Sequence, residues 1–406
     1  MKFYFILAWR NIWRNKRRTL ITTASVFFGV LLSAFMSSMQ EGSYDQYIRA
    51  IVNSYSGHIQ IHRKGYWNDK IINNSFLNDG NIDSLLHRFP EVTIYSPRFE
   101  TFCLASSEDV TKGVMILGIE PLAEDKITNI SVKLYQGEYL KKGDNGVILG
   151  SRLAQFMKIG PGDTLVLIGQ GYHGSGAAGK YPVRGIIKHP SPELDRTLVC
   201  MELQHCQELF SAPDLLTSMV IMVNDNEKTL PIKMALTESL GDDLEVIDWM
   251  QMNQLLLKQI DSDRAQGVIT KGILYMIIAF GILGTVIMMV AERTKEFGVI
   301  LAVGMKKRKL ITIIILETIF MGMTGVITGV AASIPLLYYF LYNPIPFTGQ
   351  AAEMMLQMGF EPAMYFSMAP SVFYEQALTI FIFTLVIGIY PIFNIRKLQI
   401  MKALRS

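Results

Sequence analysis

Cysteine is scarce and unpatterned in this chain. Cys103, Cys200 and Cys206 are the only three, and no CxxC pair or Cys/His cluster with metal-ligand spacing accompanies them. A cysteine-based metal module is therefore not expected, and the odd count leaves at least one thiol outside any internal disulfide. Small buried side chains are the expected role. Charged residues are also few, at 18%, and their placement says more than their number. No acid occurs in residues 1–18, and no lysine or arginine occurs from Leu341 to Val372. Nucleic acid is not an expected partner: the formal net charge is only +3, and residues 41–270 carry 29 Asp and Glu against 21 Lys and Arg. No internal repeat or low-complexity tract is visible.

What the chain has instead is long apolar runs. One, Thr19–Met39, stands alone near the start, and three more fall between Gly272 and Ile392. Half of all residues are hydrophobic and the mean hydropathy is +0.28; each run reaches the roughly 20 residues a helix needs to cross a bilayer core. The expected fold class is an α-helical membrane protein of four transmembrane helices in a one-plus-three order, with a large extracytoplasmic α+β domain between the first and second. The basic segment before the first run is long and no small-x-small cleavage site follows Met39, so that helix is expected to be retained. The expected boundaries are an interfacial helix at 1–18, spans at 19–41, 268–291, 311–340 and 373–393, the large domain at 42–266, a link at 292–310, an outer loop at 341–372 and a tail at 394–406. Lysines and arginines cluster in residues 1–18, in the link from Arg293 to Lys309, and in the tail at Arg396, Lys397, Lys402 and Arg405. The positive-inside rule then places both termini and the link in the cytoplasm and the large domain in the periplasm, across a bacterial inner membrane.

Within the large domain, His58–His62 alternates like a half-buried strand, and further strands are expected at Val114–Ile119, Thr164–Ile168, Pro182–Lys188, Thr197–Met201 and Met219–Val223. Helices are expected at Asn81–Phe89, Ser151–Met157, Glu202–Phe210 and Leu230–Leu240. Shifts in composition suggest an outer lobe, about 125–214, inserted in an inner one. Two phosphate-loop signatures overlap here. Gly169, Gly171 and Gly174 fit GxGxxG, and Gly174 to Lys180 fits a Walker loop up to Tyr181, where Ser or Thr should hold magnesium. A phosphate loop must open a helix, yet the following Pro182–Ile187 reads as a strand. The stretch including Tyr172 and His173 is instead expected to be a flexible glycine-rich hairpin loop able to dock a partner.

The link carries the second cluster. Phe297, Ile300, Leu301 and Met305 fall on one helical stripe with charges opposite, the pattern of a helix that docks on a partner. In the third span Gly322, Gly325 and Gly329 form a surface for close helix packing. Glu317 is the one buried acid, with no matching charge at mid-depth in the other spans, and is expected to be a helix-end or subunit contact. At the start, Phe3, Ile6, Leu7 and Trp13 among Arg10 and Arg14 form a membrane-surface helix.

These segments carry a resemblance. The run from Leu7 to Thr19 resembles the N-terminus of FtsX-like ABC transporter permeases, which include lipoprotein-releasing LolC/LolE permeases and MacB exporters. The link is similar to that family's R-x-x-E-F/I-G-x-x-x-A-x-G segment at Arg293, Glu296, Phe297, Gly298, Ala302 and Gly304. Further similarity lies at Val147–Ser151, Gly162–Asp163, Leu194–Asp195, Trp249 and Met401–Arg405. The resemblance implies a permease subunit with no catalytic residues and no cofactor or metal of its own, the ATP and magnesium being used by a separate cytosolic ABC ATPase of the LolD type. It implies a second permease subunit, identical or paralogous. It makes the segment holding Glu292, Arg293, Glu296, Phe297, Gly298, Leu301, Ala302 and Gly304 the coupling helix. Length and layout point to the LolC/LolE type, hence to lipoprotein or a lipid-like substrate passed to a periplasmic carrier, with the loop holding Gly169, Gly171, Tyr172, His173, Gly174, Lys180 and Tyr181 as the docking element. The alternatives are MacB-like export of peptides or drugs, and FtsX-like regulation of a cell-wall hydrolase. A secondary transporter would need more spans and paired intramembrane charges.

Overall fold

The computed structural model describes residues 2–14, 16–108, 110–358 and 361–397, so the Met401–Arg405 segment and the tail beyond Lys397 lie outside the described residues. The chain divides into two compact units, one of residues 46–258 with 347–362, the other of residues 1–45, 259–346 and 363–406.

The first unit is built on a ten-stranded sheet. In chain order its strands and those of a small side ladder are β1 (Ile59–Arg63), β2 (Phe76–Leu77), β3 (Val92–Ser106), β4 (Thr111–Ile119), β5 (Leu134–Gly137), β6 (Val147–Gly150), β7 (Thr164–Gln170), β8 (Gly176–Ile187), β9 (Leu198–Glu202), β10 (Leu215–Leu216), β11 (Ser218–Val223) and β12 (Leu244–Asp248). The sheet runs β12-β1-β11-β3-β4-β9-β6-β8-β5, β7 bridging β3 and β8, while β10 pairs only with β2. The fifteen-residue β3 organises it. Its first half pairs with β11, its last three residues pair with β7, and β4 runs along its other edge. Residues 125–214, expected as an inserted lobe, supply β5 to β9, which form one end of this sheet.

Strands near that end read as continuous apolar runs because both their faces are covered. Val114 and Ile116, Val147 and Leu149, Val199 and Met201 enter one core with Phe99, Leu165 and Phe210. Their neighbours Met115, Leu117, Ile148, Leu198 and Cys200 enter another on the opposite face. A third cluster packs Ile59, Ile61 and Ile221 against helix residues Ile82, Leu86, Ile232 and Leu236. The expected strands and helices are present with some ends shifted, and the strand expected from Val114 already begins at Thr111. The helix at Asn81 ends at Leu86 rather than Phe89, and the strand expected to start at Pro182 begins at Gly176. All three cysteines are buried and unbridged. Burial pushes the Cys103 thiol up to about 12.

The buried charges at the centre of this unit are paired. The Arg98 guanidinium donates to both Glu124 carboxylate oxygens, at 2.9 and 2.7 Å, and to the Tyr55 carbonyl at 2.6 Å. Tyr55 in turn donates its hydroxyl to Glu100. His62 lies flat against Tyr66, with ring centres 5.1 Å apart and Nδ1 2.8 Å from the Thr217 carbonyl, and its Nε2 has no partner. Burial lowers the His62 pKa to about 3 and that of His189 to about 4.

The second unit is helical. A short helix, Lys2–Arg14, precedes four long apolar ones: Lys16–Ile51, Gln254–Ala302, Lys307–Tyr342 and Pro370–Ile387, the last followed by Tyr390–Lys397. These four are long and apolar enough to cross a membrane. The third is the hub. A Cβ on Gly325 would stand 2.6 Å from that of Val26 in the first helix, and one on Gly322 would stand 2.8 Å from Thr384 Cγ2 in the fourth. Only glycine allows such backbone approach.

The buried histidines predict a pH dependence. Both fold neutral, so their contribution to stability is complete above the ordinary histidine pKa of about 6.5 and is lost as pH falls towards 4 and 3. Unfolding of the detergent-solubilised chain, followed by tyrosine and tryptophan signals, should weaken over that window, and His62→Gln should flatten the slope. An unchanged slope in the variant would exclude His62 as a source.

Candidate functional site

Between the second and third apolar helices the chain reverses in four residues. The stop has a local cause. Gly304 has φ +103°, its N–H donates to the Leu301 carbonyl at 3.1 Å, and the Met305 N–H reaches back to the Ile300 carbonyl at 3.2 Å. This is a Schellman ending, in which the residue just past the helix must be left-handed and glycine is the residue without a Cβ penalty there. Lys306 is extended and the next helix starts at Lys307.

The structure corrects the expectation for residues 292–305. They are not a separate helix: up to Ala302 they are the last three turns of the second apolar helix. Nor does the apolar stripe face outward. Phe297 and Leu301 are buried with Ile12, Leu310 and Ile395, and Met305 packs against the same cluster. An amphipathic stripe specifies that something covers it, and here the chain's own helices do. The exposed face is the other one, with Glu292, Lys295, Glu296, Val299, Ala302, Val303 and Gly304. Val303 is 84% exposed.

Arg293 does not join that face, although the sequence placed it among the outward charges. It is 5% exposed, and its Nη1 lies 2.5 Å from Oε2 of Glu317, which is fully buried. Asn11 of the N-terminal helix donates to the other Glu317 oxygen at 2.7 Å. The Arg293 Nε lies 3.2 Å from Glu296 Oε2, and Arg14 Nη2 reaches that same oxygen at 2.9 Å. Asn11 and Arg14 are three residues apart on one face of their helix. The five side chains therefore close a ring through three helices, with two positive and two negative charges. Glu317, read from the sequence as lacking a matching charge, has one in Arg293. Sequence reasoning missed this pairing, and also Asn11 and Arg14 as members. A signal existed: Arg293 and Glu317 lie at equal separation, twelve residues, on either side of Met305, as partners across an antiparallel helix pair must. The two limbs differ in strength. Removing one partner of a buried pair costs about 3–5 kcal/mol, whereas the exposed Arg14–Glu296 contact contributes at most about 1 kcal/mol.

The glycine-rich stretch in the other unit is the hairpin expected, with most of its residues in paired strands. β7 and β8 pair from Thr164↔Pro182 to Gln170↔Gly176, leaving only Gly171–Ser175 as the tip. The tip is tied down: the Tyr172 N–H donates to the Phe210 carbonyl at 2.7 Å and the His173 N–H to Asn73 Oδ1 at 3.0 Å. His173 adopts φ +52° there and Gly174 φ +82°. Gly169, Gly171, Tyr172, His173 and Gly174 thus gather at or beside the tip, while Lys180 and Tyr181 lie down the stem opposite Val166 and Leu165. The Walker-like run enters a strand, so its amides pair with β7 and do not form the anion cradle of a helix start.

A family model described as the MacB-like periplasmic core domain matches residues 19–239, over half of the chain, and one described as the FtsX-like permease C-terminal matches residues 269–400. The chain is an ABC transporter permease of the FtsX/MacB family. Among curated proteins, it is 22% identical over 258 residues to the lipoprotein-releasing system transmembrane protein LolC of Xylella fastidiosa (strain 9a5c), covering 61% of this chain and 62% of that one. It is 20% identical over 324 residues to LolC of Neisseria meningitidis serogroup B, covering 78% and 76%. Among solved structures, the periplasmic region of MacB from Actinobacillus actinomycetemcomitans aligns at 12% identity with a TM-score of 0.38, over 51% of this chain and 95% of that one. The chain thus spans about 62% of the length of the first of these curated relatives.

In the permease, Gly298 is buried with Phe297 and Leu301, so of the eight expected coupling residues Arg293, Phe297, Gly298 and Leu301 form an inward face while Glu292, Glu296, Ala302 and Gly304 point out. The three glycines of the third helix meet the first and fourth helices: Gly329, like Gly325, faces the first, where its Cβ would stand 2.9 Å from that of Val30. Gly325→Leu should lower the unfolding midpoint of the purified permease and its yield in the membrane, whereas Gly281→Leu, at a position with nothing within 4 Å, should leave both close to the parent. Equal effects would show that the glycine contact is not a packing determinant.

Proposed function

We propose that this permease is one membrane half of an ABC transporter in which a separate cytosolic ATPase docks on the exposed face at 292–304 and drives the extraction of lipoproteins from the inner membrane for transfer to a periplasmic carrier. The observation that carries this reading is the similarity to LolC and LolE relatives over most of the chain. The geometry supports it in two ways. First, the face left uncovered beside the turn mixes charges with Val299 and Val303, apolar side chains that are exposed among the described residues, just ahead of the basic run Lys306–Lys309. Second, aromatic side chains mark two levels on the third helix. Trp9 and Phe5 pack on Phe320, and exposed Tyr338, Tyr339 and Tyr342 lie at its far end. The 18 residues from Phe320 to Tyr338 rise about 27 Å, close to the hydrocarbon thickness framed by interfacial aromatics.

On this reading both termini are cytoplasmic and the α+β unit is periplasmic, which the basic clusters and the loop 341–372 without lysine or arginine support. Lipoprotein extraction needs external work. Each methylene leaving the bilayer costs about 0.8 kcal/mol, so an acylated protein does not desorb unaided. A second permease subunit completes the assembly, and the tip at Tyr172 and His173 is the element offered to a carrier. The match to a MacB-like periplasmic core supports a second reading, export of peptides or small molecules by the same motion.

Depleting the permease should leave acylated proteins in the inner membrane; their normal outer location would reject lipoprotein as substrate. Val299→Glu with Val303→Glu changes only exposed positions, so insertion should be normal while recovery of ATPase activity with the purified permease falls about tenfold, the equivalent of 1.4 kcal/mol. Undiminished activity in that double variant would rule out this face as the docking surface.

A further inference from the structure

The closed ring Asn11–Glu317–Arg293–Glu296–Arg14 links three helices, and its member Glu296 lies on the exposed face where load would enter. We propose that this ring makes Arg293 and Glu317 positioning residues for energy coupling: it clamps the inner ends of the second apolar helix, the third apolar helix and the N-terminal helix into one body, so that force on the second helix displaces all three together. This rests on the proposed docking of an ATPase at 292–304.

Three observations support the clamp. Both Glu317 oxygens are used, one by Arg293 at 2.5 Å and one by Asn11 at 2.7 Å, so a single carboxylate joins three helices. The Arg293 guanidinium lies 5.2 Å from the centre of the Phe297 ring, which fixes its plane on the buried side. The ring also closes through an exposed limb, Arg14–Glu296, whose side chains are 63% and 49% exposed. An ion pair open to water yields to load and salt before a buried one does. The ring therefore has one firm edge, at Glu317, and one yielding edge, at Arg14, both against the last turn of the N-terminal helix.

The test uses the full-length permease reconstituted in liposomes with its ATPase, carrying nitroxide labels at Ile6 and Met288. Both positions are exposed, with 59% exposure each. Interprobe distances are measured without nucleotide and with ATP plus vanadate, together with ATP turnover. The parent should show one narrow distribution in both states. Glu317→Gln keeps the oxygen that Asn11 uses but loses the charge; it should broaden the distribution about twofold on trapping, with ATP turnover within about twofold of the parent. Exchanging the charges, Arg293→Glu with Glu317→Arg, should restore the narrow distribution in part.

Arg14→Ala should leave the distribution narrow. A narrow distribution for Glu317→Gln in both states would overturn the clamp and leave ATPase docking standing. Broadening that is already complete without nucleotide, and that charge exchange does not reverse, would show a packing role only and also overturns it. A parent complex that neither hydrolyses ATP nor binds the ATPase overturns the docking reading and the clamp together.

Discussion

A guanidinium cannot be left alone among apolar helices. Arg293 lies 5% exposed in a cluster of valine, isoleucine, phenylalanine and leucine, and the cost of stripping water from it is offset only if a carboxylate and further hydrogen bonds meet it. That constraint fixes the register of the second helix against the third, since Glu317 is the residue that can answer. It also recruits the N-terminal helix, because the second carboxylate oxygen needs its own donor and finds Asn11. Once these three helices are set, the apolar stripe from Phe297 to Leu301 has its cover, and the opposite face is the one left to water.

A different rule governs the α+β unit, where continuous apolar strands are covered on both sides. Because successive side chains point to opposite faces, Val199 and Cys200, adjacent in sequence, belong to different cores. The long β3 joins the two ends of the sheet, and the helix Pro121–Thr128 is held to it through the bidentate contact of Arg98 with Glu124. Replacing glycine at the β4 contact would also be felt here: a Cβ on Gly118 would fall 2.6 Å from that of Cys206.

Much of this was legible in the order of residues. Four apolar runs, the alternation at His58–His62, the helix at Ser151–Met157 and the glycine spacing of the third helix all express local periodicity, and the structure shows the corresponding elements. Two features were less legible for physical reasons. The stripe Phe297, Ile300, Leu301 and Met305 signals a covered face without naming the cover, so sequence reasoning sent it to a partner when the chain supplies its own. The glycine-rich run at 169–181 looks mobile by composition, yet β7 and β8 hold most of it through a ladder and Phe210 and Asn73 hold its tip. Long β3 escaped notice because polar Ser96, Arg98 and Glu100 interrupt its alternation, and their partners come from far along the chain.

The burial of all three thiols has a practical side. Cys103 and Cys206 sit on one face of the sheet and Cys200 on the other, each shielded from solvent, with ionisation pushed up by loss of hydration. A thiolate-seeking reagent finds little to attack while the sheet is intact. The wild-type background is thus chemically quiet, and a cysteine placed at a chosen surface position would carry its label without first deleting the native ones.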